Sequence, residues 1–378
     1  MLPRSRQADV LIVGAGIVGA ACAREFAAQG LTVTVIERGA IGGGATAASM
    51  GHLLVVDAEG SADDTEFQLS HRSMQLWQDW LDQQPQRAAS VEHHRLGTLW
   101  LAADEEELQL AARKAAWLQG RGLQGRLIDA AELQRLEPHL RPGLSGALHV
   151  PADARVYPPK VAAQWLQEAG ATVLRGEVTA IEPHGGLRLR DGRRLWGAMT
   201  VLCGGLDSRR FAPPGALLAK KGHLAITQRH AELVRHQLVE LGYIKKAHLV
   251  DADTVSFNVQ PRPGGQLLIG SSRQIGKEDM AVELPMLGEM LRCATGYLPV
   301  LEQLSLLRCW TGLRPASADG QPLIGAHPAL RHCWLACGHE GLGITTSLAS
   351  AELLADLALG REVRLDAAPY SPARFQSP

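Results

Sequence analysis

The chain has 378 residues, enough for one large domain or for two interleaved ones. Charged residues make up 20% and the formal net charge is -1, which leaves no electrostatic basis for nucleic-acid or other polyanion binding. No apolar run is long enough to span a bilayer, and residues 1–9 lack the apolar stretch of a secretory leader, so a cytoplasmic location is expected.

Val10-Leu11-Ile12-Val13 does not alternate, which predicts a strand buried on both faces. Gly14, Gly16 and Gly19 follow at the spacing of a dinucleotide-binding turn. The first glycine permits the tight turn, the second a close backbone approach to a pyrophosphate, and the third the packing of a helix on the sheet. Small residues over 19–29 predict that helix, and Gly30 predicts its stop. A second strand over 32–36 ends in Glu37, whose carboxylate is placed to accept both ribose hydroxyls of an adenosine. Arg38 is a candidate for the adenine and equally for a surface cation. The small-residue run 42–51, which holds Thr46, Ser49, Met50 and Gly51, suits close approach to an extended ligand or a flexible loop.

Amphipathic helices are predicted over 68–81 and 105–118, with a strand over 93–102 between them. A helix over 156–167 precedes strands at 171–174 and 177–181, and Asp191-Gly192 turns a hairpin. The apolar strand 200–203 stops at Gly204-Gly205, a second place where backbone can meet a ligand. Segments 224–227, 254–260 and 266–269 predict an antiparallel sheet with one face available, followed by a helix over 286–297. A strand at 334–337 leads through Gly338-His339-Glu340-Gly341-Leu342-Gly343 into a helix over 344–359, and 369–378 reads as an extended arm. The six cysteines (Cys22, Cys203, Cys293, Cys309, Cys333, Cys337) show no metal-ligand spacing and read as reduced thiols. No metal site is expected. Parallel strands this scattered in sequence imply a mixed α/β fold of two interwoven domains.

Placed on these elements, four segments resemble the FAD-dependent amine and D-amino-acid oxidase superfamily. They are 14–19 with Glu37, the strand at 200–205, Thr311-Gly312-Leu313-Arg314-Pro315 with the residues through Gly325, and 337–343. The resemblance runs over nearly the whole chain. Within the superfamily the branch most similar holds the β subunits of bacterial D-hydroxyproline dehydrogenases, with hydrogen cyanide synthase and multi-subunit sarcosine oxidase subunits near it.

The resemblance implies a Rossmann-like FAD domain (1–52, 145–215, 305–368) interleaved with an antiparallel-sheet substrate domain (53–144, 216–304). It implies noncovalent FAD, with Cys309 or His52 the lesser alternative as a covalent link. Gly14, Gly16 and Gly19 would take the pyrophosphate, and Thr46, Ser49, Met50 and Gly51 the ribityl chain and ring. Gly204 and the returning turn of Gly338, His339, Gly341, Leu342, Gly343, Ile344 and Thr345 would complete the cofactor site. Arg314 would anchor the substrate carboxylate through a bidentate pair, with Arg273 the next candidate. Tyr243 and His52 are weaker candidates for the pocket wall.

The implied reaction is hydride transfer from Cα to flavin N5 during oxidation of a Cα–N bond, cis-4-hydroxy-D-proline being the expected substrate. Leu268 falls where oxidases of the superfamily carry an oxygen-activating lysine, which favours a dehydrogenase. The resemblance further implies partner subunits that supply an FMN site or an iron–sulfur centre. Three alternatives stand beside it: a glycine, sarcosine or D-amino-acid oxidase, a catalytic subunit of hydrogen cyanide synthase, and a flavoprotein subunit serving assembly or electron relay.

Overall fold

The computed structural model describes residues 8–55, 64–182, 185–242 and 253–376. Val10, Leu11 and Ile12 are fully buried because their strand, Val10–Val13, lies inside a six-stranded sheet. Met199–Leu202 and Val33–Glu37 flank it in parallel, Cys333–Cys337 and Thr172–Arg175 extend the parallel set outward, and Leu323–Ala326 closes one edge antiparallel. Parallel pairing needs crossovers, and helices Ile17–Ala28, Pro158–Glu168 and Ser347–Ala358 contribute to one core with Thr65–Asp82. Trp77, Trp80 and Trp165 pack together there with ring centroids 4.9–5.7 Å apart.

The second layer is an eight-stranded sheet, ordered Leu306–Ser317, Leu217–Thr227, Leu267–Ile275, Thr254–Pro261, Gln237–Glu240, Thr98–Ala102, Gly146–Val150 and Arg126–Asp129. Its pairs are antiparallel except Gln237–Glu240 against Thr98–Ala102. Helix Leu284–Tyr297 covers one face, where Leu287, Met290 and Ala294 join Phe257, Val259 and Ile269 in a core. The other face looks toward the parallel sheet across a cavity. This is the mixed α/β architecture that the sequence predicts, a Rossmann-like sheet plus a separate antiparallel sheet.

Several elements differ from the sequence reading. The strand expected over 93–102 begins only at Thr98, because Gly97 at φ +69° breaks the extended run. Gly312-Leu313-Arg314-Pro315 lies inside the twelve-residue strand Leu306–Ser317, and Pro315 is tolerated because that strand is the sheet edge. The final helix starts at Ser347 rather than 344, since 341–346 form turns. The extended arm is absent over the described part of 369–378, where Ala368–Tyr370 and Pro372–Phe375 are short 3-10 turns docked on the body.

Tyr370 anchors that docking: it is 2% exposed and its hydroxyl donates to the Thr65 carbonyl at 2.6 Å. Tyr370→Phe should therefore lower unfolding free energy by about 1–2 kcal/mol, measured by urea titration. An unchanged midpoint would mean that the bond carries no net stability.

Candidate functional site

The carboxyl ends of the parallel strands and the open face of the large sheet enclose one cavity of about 2220 Å³. Small-molecule pockets hold roughly 300–1,000 Å³, so this one has room for an extended cofactor and a substrate together.

Its first wall is the turn after Val10–Val13. Gly14 sits at φ +104°, and a Cβ there would lie 2.6 Å from the Cys203 carbonyl oxygen. A Cβ on Gly19 would lie 2.0 Å from the Gly14 oxygen, so this third glycine packs helix on turn and does not itself line the cavity. Gly16 caps helix Ile17–Ala28 without a side-chain bond, while Thr46 Oγ1 accepts from the Ile17 N–H at 3.0 Å. The result is an electropositive helix start bordering the cavity, its first N–H already taken by Thr46.

Glu37 does more than the sequence suggests. Its Oε2 accepts from the Ala15 N–H at 2.8 Å and its Oε1 from the Gly39 N–H at 2.6 Å, so it braces the turn. Each carboxylate oxygen keeps a further lone pair for a ligand hydroxyl. Arg38 stands at the rim in an exposed 2.6 Å ion pair with Asp207, the surface-cation alternative made concrete. Gly204 also borders the cavity.

The second wall is the loop holding Thr46, Ser49, Met50 and Gly51. Gly51 is at φ +82°, with room for no Cβ because the Val156 oxygen would lie 2.2 Å from it. The returning C-terminal turn clamps this loop: Thr345 Oγ1 donates to the His52 carbonyl at 3.2 Å. Trp77 Nε1 in turn donates to the Thr345 carbonyl at 3.2 Å. His339, Gly341, Leu342, Gly343, Ile344 and Thr345 line the cavity, whereas Gly338 faces Leu217 and Leu323 instead. The expected helix N-terminus is displaced here, so turn backbone rather than the first helical turn borders the space.

The third wall is the large sheet. Strand Leu306–Ser317 crosses the loop, with Trp310 Nε1 donating to the Ala48 carbonyl at 3.4 Å. Arg314 reaches from this edge strand across its neighbour, and its guanidinium occupies the space a Gly222 side chain would fill, 2.7 Å from the ideal Cβ position. Its Nη1 donates to the Ser272 carbonyl at 3.0 Å. Arg273 also lines the cavity. Lys220, the register partner of Arg314, pairs with Glu340 at 2.8 Å. The sequence reading missed this pair, because nothing local links residues 120 positions apart.

Burial shifts several titratable groups near the cavity toward their neutral forms. Burial holds His339 at a pKa of about 4, and its Nε2 is 3.0 Å from Ser350 Oγ, a tie to the last helix. Burial, and then the Arg262 charge, hold His52 at about 4. Burial pushes the Asp153 carboxyl up to about 7 and the Cys333 and Cys337 thiols up to about 12, so these cysteines stay protonated and inert. Cys309 and His52 both border the cavity, and Tyr243 lies outside the described residues.

These shifts set the acid side of the stability profile. His52, His93 and His339 titrate near 4 when folded but near 6.5 when unfolded, so between those pH values the unfolded chain binds more protons. Their contribution is complete above pH 6.5 and lost as pH falls toward 4. Asp153, raised to about 7, acts in the opposite direction over the same window. Three groups against one leave a net loss on acidification, so Tm should fall from pH 6.5 to pH 4. A flat Tm across that range would contradict these assignments.

The residues present fit FAD: a turn at Gly14 and Gly16 whose backbone borders the cavity, a helix start beside it, and an acid at the end of the second strand. Three comparisons bear on the chain. A family model described as "FAD dependent oxidoreductase" (DAO) matches residues 9–357. The hydrogen cyanide synthase subunit HcnC of Pseudomonas aeruginosa is 28% identical, covering 98% of this chain and 97% of that one. Glycine oxidase of Geobacillus kaustophilus is also 28% identical over 97% of both chains. The crystal structure of that glycine oxidase superposes with a TM-score of 0.85 at 26% identity, covering 99% of this chain and 100% of that one.

Proposed function

Because the chain belongs to the FAD dependent oxidoreductase family, we propose that Arg314 holds the carboxylate of a small amino acid whose Cα–N bond the enzyme oxidises, with a glycine-type amino acid as the leading substrate. FAD-dependent oxidation at CH–NH is what the family and fold support. The substrate rests on less: relatives bearing the name glycine oxidase put that reading ahead of the cyclic hydroxyproline expected from the sequence. The observation that carries it is the guanidinium of Arg314 lying over Gly222 on the cavity wall, opposite the loop that holds Met50.

Bound FAD supplies a two-electron acceptor for the hydride leaving Cα. The chain's residues do the rest. Arg314 fixes one end of the substrate by two parallel bonds, which turns a bimolecular encounter into an aligned one. The amine must be neutral when hydride departs, since an ammonium has no lone pair to assist. His339 is a poor proton acceptor, its pKa lowered to about 4 by burial and its Nε2 tied to Ser350. Water is excluded by apolar walls such as Leu224 and Ile226.

Oxygen as electron acceptor belongs with the glycine oxidase reading. Leu268, buried and paired in register with Ile226, is the observation on the dehydrogenase side. Partner subunits remain a proposal whose support is the HcnC relative, itself named a subunit.

The test is anaerobic mixing of the flavin-loaded protein with glycine, sarcosine and both enantiomers of small amino acids, following loss of the oxidised flavin's visible absorbance. Bleaching by glycine or sarcosine, with stoichiometric hydrogen peroxide on admitting air, is expected. No bleaching by any amino acid would overturn the reading in favour of a relay or assembly role.

A further inference from the structure

We infer that Asn258 is a specificity-determining residue, whose carboxamide accepts a hydrogen bond from a polar group that the substrate carries beyond its α-carbon. The inference rests on the reading that Arg314 takes the carboxylate.

Four neighbouring strands place the two residues. Arg314 is rooted on Leu306–Ser317, passes over Gly222 of Leu217–Thr227, and ends at the Ser272 carbonyl of Leu267–Ile275. Asn258 stands on the next strand, Thr254–Pro261, as the register partner of Gly270. Register partners project from one face of a sheet. A Cβ on Gly270 would point at Met50 Sδ, 3.1 Å away, so that face is the cavity face. Asn258 accordingly lines the cavity.

Its Oδ1 is buried and has no hydrogen-bond partner among the described residues. A buried amide oxygen normally has a partner, and an orphan aimed into a ligand cavity is completed by the ligand. Two residues along one strand and one strand spacing across separate Ser272 from Asn258, on the order of 8 Å. With hydrogen bonds of about 2.9 Å at each end, that gap is spanned by an amino acid with a donor on its side chain or ring. Glycine held by Arg314 leaves the Asn258 oxygen unmet. The Arg314 guanidinium takes the space over Gly222, and Leu224 and Met50 take the space over Gly270, so a ligand reaching from Arg314 to Asn258 runs past an apolar flank.

The experiment compares matched substrate pairs differing by one hydroxyl: alanine with serine and proline with 4-hydroxyproline, in both enantiomers, beside glycine. Flavin-loaded wild type, Asn258→Ala and Asn258→Asp are each reduced anaerobically, and the second-order rate constants are taken as ratios within each pair. A site built to bond a hydroxyl rejects the analogue lacking it. Wild type should favour the hydroxylated member of at least one pair by tenfold or more. Asn258→Ala should bring that ratio within threefold of unity by slowing the hydroxylated member more than its partner or glycine, while Asn258→Asp, which keeps the acceptor, should preserve the preference.

A wild type indifferent to the hydroxyl would overturn the inference, as would an equal loss on every substrate including glycine. If Asn258→Ala retains no flavin, the wild-type ratios and the aspartate variant decide. Wild type bleached by no amino acid at all is a separate outcome: it removes the Arg314 reading, and the inference with it.

Discussion

Replacing Arg314 with alanine should raise the amino-acid concentration for half-maximal flavin reduction by about 30-fold or more, equivalent to about 2 kcal/mol. The magnitude is that of a charge-assisted bidentate pair made in a water-poor cavity, where the cation also loses its screening. Arg314→Lys keeps the charge but loses the fork, so it should fall between wild type and Arg314→Ala. Thermal stability should change little, because among the described residues this guanidinium makes a single hydrogen bond, to the Ser272 carbonyl. That separation is diagnostic. A variant that melts as wild type does and saturates as wild type does removes Arg314 from the site. Substrates without a carboxylate, simple primary amines for example, should be indifferent to the change.

The second large effect concerns the turn that begins the chain's first crossover. Gly14→Ala should yield protein that elutes without yellow colour, its flavin content reduced to on the order of a tenth or less of wild type. Two causes act together. At φ +104° an L-residue is strained, and the new Cβ would meet the Cys203 oxygen at 2.6 Å, which is backbone and cannot rotate away. The same logic applies to Gly19→Ala, whose Cβ would press on the Gly14 oxygen. Gly30→Ala is the control. It carries the positive-φ strain, at +80°, but nothing lies within 4 Å of its Cβ. It should cost about 1 kcal/mol and retain the cofactor. If all three variants stay fully loaded, this turn is not the pyrophosphate cradle.

Both effects depend on parts of the chain that could be read at different depths. The dinucleotide unit was legible because all its determinants are local. A continuous apolar run, three glycines and a terminal acid occupy residues 10–37, and the φ and clash requirements at Gly14 and Gly19 explain why no other residues serve there. The strand stopping at Gly204 and the turn from 338 to 345 were legible for the same reason. Even here Glu37 held a surprise: its bonds to the Ala15 and Gly39 N–H groups depend on how the loop folds back.

Short edge elements were not legible. Arg126–Asp129 is exposed at three of its four residues, so no hydrophobic period marks it. Gln237–Glu240 is wholly buried but four residues long, a run that could have served a helix as well. The helix start at Ser347 was misplaced because 344–346 are apolar and polar in an order a helix accepts. Their carbonyls at 344 and 345 accept instead from Trp77 Nε1, and the Thr345 hydroxyl donates to the His52 carbonyl, hundreds of positions away.

By itself, then, the sequence determined the cofactor end of this protein, since nucleotide recognition is written in backbone conformations that only certain residues adopt. Arg314 could be named from the sequence by resemblance, but tertiary structure alone decided what surrounds it. Arg314 gains its place by crossing a neighbouring strand at a glycine, Lys220 finds Glu340, and Asn258 is left facing open space through its register with Gly270. Those relations are set by strand order and register, which arise when distant segments pair, and no local pattern of residues encodes them.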